Sequence, residues 1–97
     1  MKDEYCIMPD FPPYWRNFRQ PGLHRHEIFF GTANRKKSIE DGLVIFMPPE
    51  LHNLSSAGIH FNKEFDETVK KLAQSEWMRH YNKSVSEFIS RYGKSYL

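Results

Sequence analysis

After Asn62, the residues Phe65, Val69, Leu72, Ala73, Trp77 and Tyr81 recur at intervals of three and four, which sets one apolar face along a single long helix. Asn62 suits the N-cap because its side chain can accept a hydrogen bond from a free amide of the first turn. A one-faced helix must bury that face against a second layer. Ahead of it the chain offers two short β-prone runs, residues 24–30 and residues 43–47 (LVIFM), the first ending at Gly31 and the second closed by Pro48-Pro49. The expectation is an α+β fold in which a β-hairpin packs on the long helix. The connection TANRKKSIEDG suits a short helical turn stopped at Gly42, and Ser84 with Glu87 forms a capping box for a short C-terminal helix. That last helix carries Phe88, Ile89 and Tyr92 and stops at Gly93.

A chain of 97 residues, 39% hydrophobic, is too short to divide its apolar surface between two cores. Phenylalanine, tyrosine and tryptophan make up 15% of it and bring large buried areas per side chain. Cys6 is the single cysteine, so neither an internal disulfide nor a four-cysteine structural zinc is available, and a reducing compartment suits the chain. The opening MKDEYC lacks the basic and then apolar regions of a signal peptide, and no stretch is apolar for long enough to cross a bilayer. A cytoplasmic protein without a membrane partner is expected. The formal charge of +2 permits contact with nucleic acid without requiring it.

Residues 1–22 mix Pro9, Pro12, Pro13 and Pro21 with Tyr5, Phe11, Tyr14, Trp15 and Phe18. Proline removes amide donors and fixes the backbone, so an irregular aromatic arm is expected there, ahead of a domain spanning 23–97. Its rings can supplement a small core; a surface for a partner is the other reading.

The histidines stand at 24, 26, 52, 60 and 80, four of them in or beside the hairpin and the approach to the long helix. In a strand His24 and His26 share one face, and Glu27 points to the other. A hairpin packed on the helix would draw His26, His52 and His60 toward one point. Three imidazoles near a carboxylate suit zinc, manganese or nickel and leave a position open for water or phosphate. The competing account makes His24 and His52 exposed residues, and His26 and His60 hydrogen-bonded structural ones.

The strings HEIFFGTANRKKSIEDGLVI, PELHN, GIHFNKEFD and EFISRYGKSYL resemble, in that order, the short phage and prophage proteins of the HNH endonuclease class, which have a ββα-metal core. The resemblance covers residues 23–97, about three quarters of the chain. It implies that His26, His52 and His60 hold one divalent metal ion (zinc, manganese, nickel or magnesium), with Glu27 as the general base beside His26. It also implies metal-assisted attack of water on a DNA phosphodiester. Arg35, Lys36 and Lys37 would be phosphate contacts that position the substrate, and Asn62, beside His60, would be a further nucleic-acid contact.

The chain departs from the pattern in two ways. Histidine is the more usual base where Glu27 stands here. Cysteines that form a structural zinc knuckle in relatives are represented by Cys6, Pro9 and Pro48, and the first histidine of their paired turn reads Leu51. Three functions follow as alternatives. The first is an endonuclease or nickase acting on DNA. The second is a non-catalytic HNH-derived phage protein that binds DNA or a host protein, such as an inhibitor of a host defence nuclease of the anti-CRISPR type. The third is a structural metal domain within a larger phage assembly.

Overall fold

The computed structural model of the protein describes residues 5–52, 59 and 62–97. In chain order the elements are β1 (His24–Glu27), α1 (Arg35–Glu40), β2 (Val44–Met47), α2 (Pro49–His52), α3 (Lys63–Tyr81) and α4 (Val85–Tyr92). The two strands pair antiparallel, with His24 opposite Met47, His26 opposite Ile45 and Glu27 opposite Val44. This is the expected α+β arrangement of a hairpin and several helices.

Register decides which residues enter the core, because side chains alternate across a strand. Ile45 and Met47 share a face with His24 and His26 and, with Ile28, Phe29 and Leu43, join Val69, Ala73 and Trp77 of α3 and Phe88 and Tyr92 of α4. Phe29 packs its ring against those of Phe88, Tyr92 and Tyr96, with centroids 5.4, 4.7 and 5.3 Å away. Aromatic pairs at such separations contribute beyond the area they bury. Here they give a short chain its dense centre.

The opposite face of β2 is buried as well, and the N-terminal arm covers it. Arg16 and Phe46 exchange both backbone hydrogen bonds, at 2.7 and 2.9 Å, so the arm zips onto the outer edge of β2. Ile7 donates its N–H to the Gly42 carbonyl at 2.8 Å, and the Arg19 guanidinium lies 5.1 Å from the Phe46 ring centroid. Met8 and Trp15 are buried in the main core, and the Trp15 indole N–H donates to the Pro9 carbonyl at 2.9 Å. The arm is irregular, yet it acts as a third strand at one point and as part of the core at two. Cys6 Sγ points to the Val44 carbonyl, 3.0 Å away. Burial pushes this thiol above its ordinary range, which suits an inert packing residue.

The expected caps are present. Asn62 accepts from the Phe65 amide, Ser84 and Glu87 form the reciprocal capping box, and Gly93 closes α4 in the left-handed conformation. Gly42 ends the connection after α1 with φ +77°, and a Cβ there would meet the Tyr5 ring at 3.0 Å. Backbone sign and close packing both call for glycine at this position. Ser38, fully buried, donates to the Leu43 carbonyl at 2.6 Å and accepts from the Phe29 amide at 3.2 Å. It thus ties the two inner ends of the hairpin together.

A second polar node fixes the hairpin connection to the helices. The Asp41 carboxylate accepts from the Trp77 indole N–H at 2.8 Å, from the Tyr92 hydroxyl at 2.7 Å and from Arg91 at 2.6 and 2.8 Å. The Tyr81 hydroxyl donates to the Asp41 carbonyl at 2.8 Å. A carboxylate satisfied by this many donors can sit in a mostly buried position without the cost of an unpaired charge. With the loop so held, the hairpin keeps a fixed position on α3 and α4.

Candidate functional site

The far end of the hairpin gathers three imidazoles. β1 carries His24 and His26 on one face because they are two residues apart. After β2, Pro48 and Pro49 end the strand, and Pro49 opens the single turn of α2, a helical position where its missing amide donor costs nothing. The Leu51 amide donates to the Pro48 carbonyl at 3.0 Å, and this turn swings His52 back over the start of β1.

His52 lies between the two strand histidines. Its ring centroid is 5.4 Å from that of His24 and 5.3 Å from that of His26, edge-on in both cases. The Nδ1 atoms of His24 and His52 face each other at 3.3 Å. His24 is exposed, whereas His26 is buried and packs against Phe30, ring centroids 5.9 Å apart. Phe30 is covered in turn by Lys70 of α3, whose ammonium is 4.4 Å from the ring centroid and 2.9 Å from Asp66. A continuous set of contacts therefore runs from the first turns of α3 to the imidazoles.

His26 and His52, two of the three expected ligands, are brought together. The third, His60, lies outside the described residues. His24, read from the sequence as an exposed neighbour or surface residue, is exposed and brings its Nδ1 within 3.3 Å of the His52 Nδ1. His80 is remote, near the last turn of α3, with its Nε2 3.1 Å from the Tyr5 hydroxyl. Among the described residues no group of three or more histidine, cysteine, aspartate or glutamate side chains stands at metal-holding geometry.

Glu27 is the last residue of β1, on the face opposite His26. Its carboxylate accepts from Arg25 at 2.8 Å and lies 3.6 Å from Arg35. The strand separates it from the imidazoles, as alternation requires. Arg35 and Lys36 line a shallow cavity of about 470 Å³ with Gly31, Thr32 and Ile39. Lys37 turns away and donates to the Arg91 carbonyl at 2.8 Å. Asn62 uses its side-chain oxygen to cap the Phe65 amide at 3.0 Å. Of the expected nucleic-acid contacts, Arg35 and Lys36 stand on the side of Glu27, while Lys37 and Asn62 have structural partners.

Among the described residues no helix is long and apolar enough to cross a membrane. No family model, curated protein or solved structure matches the chain.

Proposed function

We propose that the protein is a small HNH-like, metal-dependent DNA endonuclease or nickase of phage type, acting in the host cytoplasm. The observation that carries this reading is the placement of His52 against both His24 and His26 at the end of a hairpin packed on a helix. In this reading His26 and His52 hold a divalent metal ion together with His60. When bound, the ion supplies Lewis-acid polarisation of a phosphodiester and stabilises the leaving oxygen.

The chain's own residues do the rest. His26, buried against Phe30, fixes one side of the site, and α2 sets His52 opposite it. Arg35 and Lys36 hold the DNA backbone beside the strand end by charge and without reading sequence. Glu27 receives the proton of the attacking water at the end of β1, with Arg25 and Arg35 orienting its carboxylate. A positioned general base contributes about 10²–10⁴-fold in rate.

The test is conversion of supercoiled plasmid to nicked or linear form by the intact protein with magnesium, manganese, nickel or zinc. Cleavage that disappears in His26→Ala is expected. A folded, metal-loaded protein that leaves the plasmid intact with every metal would overturn the proposal.

A second reading, a non-catalytic HNH-derived protein that binds a host protein or DNA, is favoured by the arm. Phe11, Tyr14 and Phe18 are between 44% and 50% exposed, although neighbouring Trp15 is buried. That reading expects Phe11→Ala with Tyr14→Ala to abolish binding while His52→Ala leaves it intact.

A further inference from the structure

We infer that His24 is a ligand of the metal, bound together with His52 through the two Nδ1 atoms; the inference rests on the reading that His26 and His52 hold a divalent ion. Two nitrogens, each 2.0–2.1 Å from one tetrahedral zinc, lie about 3.3 Å apart. The His24 and His52 Nδ1 atoms stand at 3.3 Å with their rings nearly perpendicular. The pair therefore has the separation of two neighbouring ligands before any ion arrives.

The arrangement around the pair fits the same role. His24 and His26 lie two residues apart on one strand face, and His52 enters from α2 at nearly equal ring distances from both. Coordination through Nδ1 leaves each Nε2 to donate to an outer partner, which is how metal-bound imidazoles are usually oriented. His24 is exposed and His26 is 1% exposed, so the side of the site bearing His24 opens to solvent, where an ion can enter. An imidazole-rich donor set selects borderline cations such as zinc, cobalt and nickel over magnesium.

Cobalt(II) titration of the chelator-stripped intact protein, read by visible absorption, tests this with wild type, His24→Ala and His80→Ala. Wild type and His80→Ala are expected to bind one equivalent with matching spectra. His24→Ala should bind at least about tenfold more weakly with an altered spectrum, since even outer partners of a ligand are worth 10–100-fold. Because His24 is exposed, thermal unfolding of the cobalt-free variant should match wild type.

Histidine ¹⁵N chemical shifts of the zinc-loaded protein should mark His24 Nδ1 as the metal-bearing nitrogen. Equal affinity and an unchanged spectrum in His24→Ala would overturn the inference and leave the proposed metal centre standing, the 3.3 Å contact then being an ordinary hydrogen bond. Failure of wild type to bind cobalt or zinc would overturn both.

Discussion

Arg91 of α4 grips both carboxylate oxygens of Asp41, its Nε at 2.6 Å from one and its Nη2 at 2.8 Å from the other. The connection between the strands is thereby clamped to the C-terminal helix. Trp77 and Tyr92 donate to the same carboxylate. Asp41→Ala removes the acceptor from two buried donors and one cation, each donor left unsatisfied costing about 1–3 kcal/mol. A loss of about 3 kcal/mol or more in urea-induced unfolding is expected.

Gly42 and Gly93 both hold left-handed backbone, but only Gly42 is crowded, by the Tyr5 ring and Ile7. Gly93→Ala should cost about 1–2 kcal/mol, the backbone penalty alone. Gly42→Ala should cost more, because the Tyr5 ring must move. In the double variant with Tyr5→Ala the added cost of Gly42→Ala should fall back toward the Gly93 value, as measured by chemical denaturation.

Tyr92 and Tyr81 give the fold an alkaline limit. Burial, reinforced by the hydrogen bond to Asp41, holds the Tyr92 hydroxyl above the ordinary tyrosine value, and burial with the Tyr5 contact does the same for Tyr81. Below about pH 10 both states keep these protons, and the stability contribution is fully present. Above it the unfolded chain releases protons that the folded chain retains, so stability falls as pH rises. Thermal melts should show a decline beginning near pH 10, with a shallower slope in Tyr92→Phe.

Lys36 projects from α1 beside Arg35 at the shallow cavity. If that side carries the DNA backbone, Lys36→Ala weakens binding by a similar factor on unrelated sequences. The slope of log affinity against log salt should fall by about 1, measured by fluorescence anisotropy with a short duplex. A sequence-dependent loss would assign Lys36 to base contacts instead.

The parts of this fold that are legible in the sequence are those with a local signature. Asn62, Ser84 with Glu87, and Gly93 mark helix ends by chemistry confined to one turn, and each stands where expected. The apolar stripe of α3 is legible in direction but not in width. Leu72 is 41% exposed, whereas Gln74 is fully buried, because its amide donates to the Ser95 hydroxyl and its oxygen accepts from the Tyr96 amide. Ile89 similarly leaves Phe88 and Tyr92 to fill the core.

Asp41 reads in the sequence only as a turn residue, since its donors come from Trp77, Arg91 and Tyr92, far along the chain. The facing of His24 and His52 is hidden for a related reason. It depends on the four-residue turn of α2, too short to leave a periodic pattern. Glu27, by contrast, lies on the face that strand alternation assigns it together with Arg25, and its neighbour Arg35 comes into view only with the three-dimensional fold.

Single-turnover cleavage of a supercoiled plasmid by wild type, His52→Ala and Glu27→Gln at equal protein concentration, with bound metal quantified in each, puts the proposed metal-dependent nuclease to the test. Wild type is expected to nick with metal present and to stop on chelation. His52→Ala should lose both bound metal and cleavage, and Glu27→Gln should keep its metal while slowing cleavage by about 10²-fold or more. Cleavage by His52→Ala at the wild-type rate, or wild type that holds a metal ion and leaves the plasmid intact, would overturn the proposed nuclease activity.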